Sequence, residues 1–309
     1  MYVGIFAAAF LVLAFLTLTL VIYLKVFYGG AYLRDDDPYA GLKSPYLEGM
    51  REVIKTQIDE LSTHPCEDIY IKGHKGTKLH GRYYAAEDSS KVAILFHGYK
   101  GSSHTELSGT ALMMLAHGIS VIAVDQRAHG KSRGVSVSFG IMERFDCAAW
   151  AKYAEERFGE DTKIFLFGIS MGAATVLMAS ELSLPTGVRA IIADCPYSTP
   201  SAIIKRVLAN RGLSPKKVYP LVFAAGVVWG RFNLRASSPK EAVKRAKVPI
   251  LLVHGEADDF VPCDMSKEIH ASCTSKKVLF TVEGAKHGAS FAVGQENYVR
   301  ALLSFIDEA

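Results

Sequence analysis

From residue 91 onward, short runs that are apolar throughout alternate with helix-length amphipathic segments. The runs at 92–96, 119–124, 163–167, 188–193, 248–253 and 278–282 read as strands, and 105–116, 141–158, 171–183, 265–272 and 295–306 as helices. A strand apolar on both faces has no side to turn to water, so it belongs in a parallel sheet covered by helices on both sides. Ahead of this region, 67–72 and 78–86 alternate polar and apolar residues, as a hairpin joined through Gly73 and Gly76 would. The pattern predicts an α/β fold with a mostly parallel eight-stranded sheet. The stretch 196–246 is too long for a plain connection. It carries helical spacing at 202–208 and 221–229 and reads as a small cap inserted after the sixth strand.

Residues 2–24 contain no charge. As a helix rising about 1.5 Å per residue they would extend roughly 35 Å, enough to cross a bilayer with some tilt. A cleaved leader would have a basic start and a shorter apolar core. No Lys or Arg precedes this run, though Gly29-Gly30-Ala31 mimics a cleavage site and keeps that alternative open. Lys25, Arg34, Lys43, Arg51 and Lys55 all follow the run, which predicts a single-pass anchor with the main domain on the cytoplasmic side. The expected organisation is an anchor at 1–28, a linker and a helix (45–61) within 29–66, and a catalytic domain at 67–309.

The charge balance of +4 gives no electrostatic footprint for nucleic acid. Five cysteines without a C-x-x-C or zinc-like Cys/His spacing point to reduced thiols, with no metal or cofactor expected. A Cys263–Cys273 bond is disfavoured because the helix expected between them would hold them apart.

The segment Gly168-Ile169-Ser170-Met171-Gly172 joins the strand at 163–167 to a helix that starts with small residues. A serine nucleophile on a sharp strand-to-helix turn needs this arrangement, with glycines on either side to relieve crowding and a helix N-terminus to favour developing negative charge. Gly130-Lys131-Ser132-Arg133-Gly134 carries the same pattern in a polar loop with no helix after it. Context therefore selects Ser170 over Ser132. Acids follow the strand at 248–253 (Glu256, Asp258, Asp259), and His287 follows the strand at 278–282. This is the order nucleophile, acid, base that such a fold uses. His97 and His254 end strands and read as structural. Two backbone N–H groups would form an oxyanion hole, from Met171 and from Tyr99 after His97-Gly98.

With these segments in this order, the chain from about residue 91 to its end resembles the α/β-hydrolase superfamily. The segments are His97-Gly98-Tyr99, Asp125 to Ser132, the turn at Ser170, His254 to Pro262 and Gly284 to Ser290. It is similar to membrane-anchored bacterial members near the Bem46-like and S33 serine-aminopeptidase-like groups. The resemblance implies an Asp258 acid, three residues after Gly255, ahead of Asp259 and Asp194. Ala128 stands where this family often has Gly. Ser170, in place of cysteine or aspartate, argues against dienelactone hydrolase and dehalogenase chemistry.

Three activities fit such a fold. The first is cleavage of a carboxylic ester or thioester, with a small or lipid-like acyl substrate. The second is an S33-like peptidase, and the third a binding module without catalysis. A peptidase would favour an acidic anchor for the peptide amine in the cap, whereas 196–235 holds Lys and Arg but no Asp or Glu. A module without catalysis would show a damaged site, and no damage is visible. In the cap, Phe223, Val227 and Trp229 are expected to line an acyl pocket above Ser170, with Gly226 leaving room. Lys205, Arg206 and Arg211 would face an anionic headgroup.

Overall fold

The computed structural model describes residues 2–30, 37–43, 49–87 and 89–309. Part of the expected linker (31–36, with Arg34, and 44) and the first residues of the helix expected at 45–61 lie outside these. That helix is present as α2 (Arg51–Ser62). Eight strands form one sheet: β1 (Glu67–Lys72), β2 (Lys78–Tyr84), β3 (Lys91–Phe96), β4 (Ser120–Asp125), β5 (Lys163–Ile169), β6 (Val188–Asp194), β7 (Ile250–Gly255) and β8 (Lys277–Val282). Their order is β1-β2-β4-β3-β5-β6-β7-β8. Strands β3 to β8 run parallel, and β2 is antiparallel to both β1 and β4.

The continuous apolar runs have a direct cause. Along β3, Val92, Ile94 and Phe96 pack into one core while Ala93 and Leu95 pack into another on the opposite face. Strands β5, β6 and β7 divide their side chains in the same way. Helices α4 (Glu143–Phe158), α5 (Met171–Ala179) and α9 (Asp264–Ser272) cover the first face. Helices α2, α3 (Ser103–Ala116) and α11 (Gln295–Asp307) cover the second. Two short helices, α8 (Pro239–Ala242) and α10 (Ser290–Val293), complete the connections. Helix α5 ends at Ala179, earlier than the spacing to 183 suggested.

The stretch after β6 forms α6 (Pro200–Asn210) and α7 (Pro215–Val228). Thr199 caps α6 by accepting from the Ala202 N–H (3.0 Å), with Pro200 at the first helical position. These helices enclose a third apolar cluster, which Tyr23 and Phe27 enter from α1 (Tyr2–Val26). Helix α1 is exposed on every side over residues 2–15, but Thr19, Tyr23 and Phe27 are buried. Beyond α1, Val137 N–H donates to Phe27 O (2.7 Å) and Gly29 N–H to Val135 O (3.0 Å), in an antiparallel bridge between Tyr28 and Ser136. The end of α1 is therefore built into the catalytic domain. A sheet that begins beyond the linker predicts that losing residues 1–28 leaves the site working; the backbone bonds of Phe27 and Gly29 to residues 135–137 instead tie this segment to the sheet-bearing domain.

Candidate active site

The C-terminal ends of β3, β5, β7 and β8 converge on one edge of the sheet, where α/β folds bind ligands. Ser170 follows β5 with φ 54° and ψ −111°, a backbone conformation that only a sharp turn imposes. Its flanking glycines are required sterically. A Cβ on Gly168 would lie 2.2 Å from the Gly172 carbonyl carbon, and one on Gly172 would lie 2.0 Å from Phe96 O. Ser170 O accepts from Ala174 N–H (3.0 Å), which starts α5 at once. The Met171 N–H stands at the first turn, where backbone donors have no partner within the helix.

His287 Nε2 lies 3.0 Å from Ser170 Oγ, and His287 Nδ1 lies 2.7 Å from Asp258 Oδ2. Asp258 is itself fixed. Its Oδ1 accepts from Phe260 N–H (3.0 Å) and Val261 N–H (2.8 Å), and His254 Nε2 stands 3.3 Å from Oδ2. Burial pushes this carboxyl up, but the hydrogen bonds from His254 and His287 outweigh it and hold the group at about 2. The Phe260 ring packs edge-on against His287 at 5.0 Å.

The alternative residues are engaged elsewhere. Asp194 accepts from Ser290 Oγ and Tyr298 Oη, both at 3.2 Å, and burial raises it to about 6. Asp259 offers its backbone carbonyl to Arg206. Ser132 is buried, donating to Asp125 O (2.5 Å) and accepting from His80 N–H (2.8 Å). His97 Nδ1 donates to Gly98 O and its Nε2 accepts from Gln126 N–H, so burial keeps it neutral and structural. His254 hydrogen-bonds with Ser266 Oγ and Val261 O, behind Asp258. Ala128, in the place of the family's glycine, has φ 66°, and its buried methyl abuts Gly29.

Tyr99 and Lys100 form the middle of a turn closed by Gly101 N–H to Gly98 O (3.3 Å). This turn is tied to α1: Tyr99 Oη donates to Val26 O (2.6 Å) and Lys100 Nζ to Lys25 O (3.0 Å). These two carbonyls belong to the last turn of α1, where carbonyls need outside donors. Sequence reasoning missed Glu106, in the first turn of α3. Its Oε2 accepts from Gly98 N–H (2.5 Å), and burial raises its carboxyl to about 7. A Cβ on Gly98 would lie 2.9 Å from Glu106 Oε2 and 3.5 Å from Ser170 Cβ, so the two side chains flank this glycine. An acid in a first helical turn is ordinary dipole complementation, so the sequence carried no signal of this role.

The proposed pocket side chains are partly redirected. Phe223 packs on the cluster that contains Met171, with the Arg235 guanidinium 4.7 Å from its ring centre. Val227 is 45% exposed, and Trp229 Nε1 donates to Thr19 Oγ1 of α1 (3.1 Å). The reason is that α1 lies along α7, a neighbour the sequence did not announce. Gly226 serves close packing against Phe232 and Phe27.

Among the described residues, Cys195, Asp258 and His287 place their ligand atoms within 4.8 Å of one another. Two of these belong to the hydrogen-bonded constellation. Burial pushes the Cys195 thiol well above its usual range, which opposes the thiolate that a metal needs. All five cysteines are free, Cys263 and Cys273 included, with α9 between that pair.

A family model described as serine aminopeptidase, S33, matches residues 87–220, and one described as serine hydrolase (FSH1) matches 167–287. The uncharacterized protein YqkD of Bacillus subtilis is 25% identical over 233 residues, covering 75% of this chain and 76% of its own length. Protein bem46 of Schizosaccharomyces pombe is 25% identical over 196 residues, covering 62% of this chain and 60% of its own length. The Pyrococcus furiosus esterase Pf2001 superposes with a TM-score of 0.66 at 24% identity, covering 81% of this chain and 93% of its own. The chain belongs to the α/β-hydrolase superfamily. Within it, the chain is similar to the Bem46-like and S33 groups, and those relationships make it a serine hydrolase.

Proposed function

We propose that this α/β-hydrolase cleaves a carboxylic ester or thioester through an acyl-enzyme, with Ser170 as nucleophile, His287 as general base and acid, and Asp258 as the group that orients the imidazole. Ser170 Oγ attacks the acyl carbon while its proton passes to His287 Nε2. The N–H groups of Tyr99 and Met171 stabilise the oxyanion. Collapse breaks the ester C–O or thioester C–S bond, and the leaving group takes the proton from His287. Water then attacks the acyl-Ser170 ester by the same route, giving the free acid. The observation that carries this reading is the continuous pair of hydrogen bonds from Ser170 through His287 to Asp258.

A second reading, hydrolysis of short peptides, draws on the S33 family match and on the Glu106 carboxyl beside Gly98, a partner for a substrate amine. A panel of p-nitrophenyl esters, acyl thioesters and aminoacyl amides, assayed side by side on the purified full chain, separates the two. Turnover of esters or thioesters with little amide cleavage is expected; faster aminoacyl amide cleavage would favour the peptidase.

We also read α1 as a membrane anchor. It is a 25-residue helix, long and apolar enough to span a bilayer, and the cations after it favour a cytoplasmic catalytic domain. Phe223 remains the candidate wall for an acyl chain.

A further inference from the structure

From Val218 onward helix α7 is apolar all the way round. Its inner stripe, Tyr219, Val222, Ala225 and Gly226, is buried in the cap cluster. Its outer stripe, Pro220, Leu221, Ala224, Val227 and Val228, follows the same helical spacing on the opposite side. Val227 and Val228 there are 45% and 42% exposed. A helix apolar on every side is one that apolar surroundings enclose, and protein encloses only half of this one. On α1, which packs beside α7, Leu18, Val21 and Leu24 are also exposed. Trp229 ties the two helices together by donating to Thr19.

Helix length decides what covers the stripe. Only residues 2–15 of α1 are exposed on every side. At about 1.5 Å per residue they reach roughly 20 Å, short of a hydrocarbon core of about 30 Å. The turns around Thr19 must therefore also lie in the bilayer, and α7 is packed beside them. Lys216 and Lys217 at the start of α7, and Arg231 after its end, are exposed. An apolar face with flanking cations suits the interface of an anionic leaflet.

We propose that the outer face of α7 is seated in the membrane interface beside α1, with Trp229 at the end of the helix near enough to report it, so that the cap lies on the leaflet and the site beneath it draws amphiphilic substrates from the bilayer. This rests on the reading of α1 as an anchor. It adds that the catalytic domain does not hang free of the membrane.

The chain's two tryptophans make the test direct, since Trp150 is wholly buried in the sheet core and Trp229 lies at the α1–α7 contact. The full chain is reconstituted in phosphatidylcholine/phosphatidylglycerol vesicles containing lipid brominated near the headgroup end of the acyl chain. Quenching is expected to leave only the emission that Trp229→Phe shows alone. Ala224→Asp combined with Val228→Asp should relieve the quenching while Ser170 still reacts with a soluble fluorophosphonate. Carbonate-resistant pelleting checks the anchor separately, and probe labelling in the same vesicles checks the hydrolase reading separately. A vesicle-retained, labelled chain whose Trp229 emission is untouched by brominated lipid would overturn the proposal. So would shielding of Trp229 that grows with protein density in the vesicle, which would assign the stripe to a second copy of the chain.

Discussion

Ser170 has its backbone in a region that few side chains adopt, with His287 at one remove and Asp258 at two. Asp258→Asn should lower kcat/KM by about three to four orders of magnitude, because the imidazole loses its orienting acceptor. Asp259→Asn and Asp194→Asn should each stay within about tenfold of the parent, since neither carboxylate holds His287. Steady-state kinetics on the three variants checks this. Ser170 was legible because strand, glycines and helix start are all local. Asp258 was legible only through family order, since Glu256, Asp258 and Asp259 share one loop and spacing alone does not say which one turns inward. Glu106 was not legible, because its position depends on how the turn at 98–101 folds back over α3. Its carboxyl, raised to about 7 from 4.5, keeps its proton in the folded chain where the unfolded chain has lost it. Stability should therefore fall as pH climbs from about 4.5 to 7, and the loss is complete above 7. Glu106→Gln removes this share: its Tm should exceed that of the parent by a few degrees at pH 8 and match it near pH 5. Thermal melts across that range test the sign.

The end of α1 acts as a structural element of the catalytic domain. Phe27 meets Phe139 edge-on at 5.9 Å, and Phe139 stacks on Tyr99 at 4.9 Å. Tyr99 in turn caps Val26 O, and Tyr23 Oη shares a hydrogen bond with Ser136 Oγ (2.7 Å). Deleting residues 1–28 removes this stack and the caps on which the turn bearing the Tyr99 N–H rests. The truncated chain should lose far more activity than Tyr99→Phe. The latter removes one hydrogen bond of about 1 kcal/mol, roughly fivefold in kcat/KM. Assay of both against the full chain in detergent decides it; a fully active truncation would restore the picture of a passive tether. The packing of α1 could not be read from its residues. Every position from 2 to 24 is apolar or uncharged, so no contrast marks the face at Thr19, Tyr23 and Phe27 that meets protein. Helices α9 and α11, by contrast, were legible because polar residues alternate with their buried faces.

The sheet, with its helices on both faces, brings four chain segments to one edge. Its parallel strands were readable because both faces are buried, while the cap was readable only as a length with helical spacing and not as a neighbour of α1. The central claim is that acyl transfer goes through Ser170. The most direct measurement reacts the full chain with a fluorophosphonate and with a slowly deacylating p-nitrophenyl ester, quenches with acid, and maps the adduct by peptide mass spectrometry. The account predicts one covalent adduct, on the peptide carrying Ser170, absent in Ser170→Ala and unchanged in Ser132→Ala. An adduct on Ser132 or on a cysteine, or ester turnover that persists in Ser170→Ala, would contradict it.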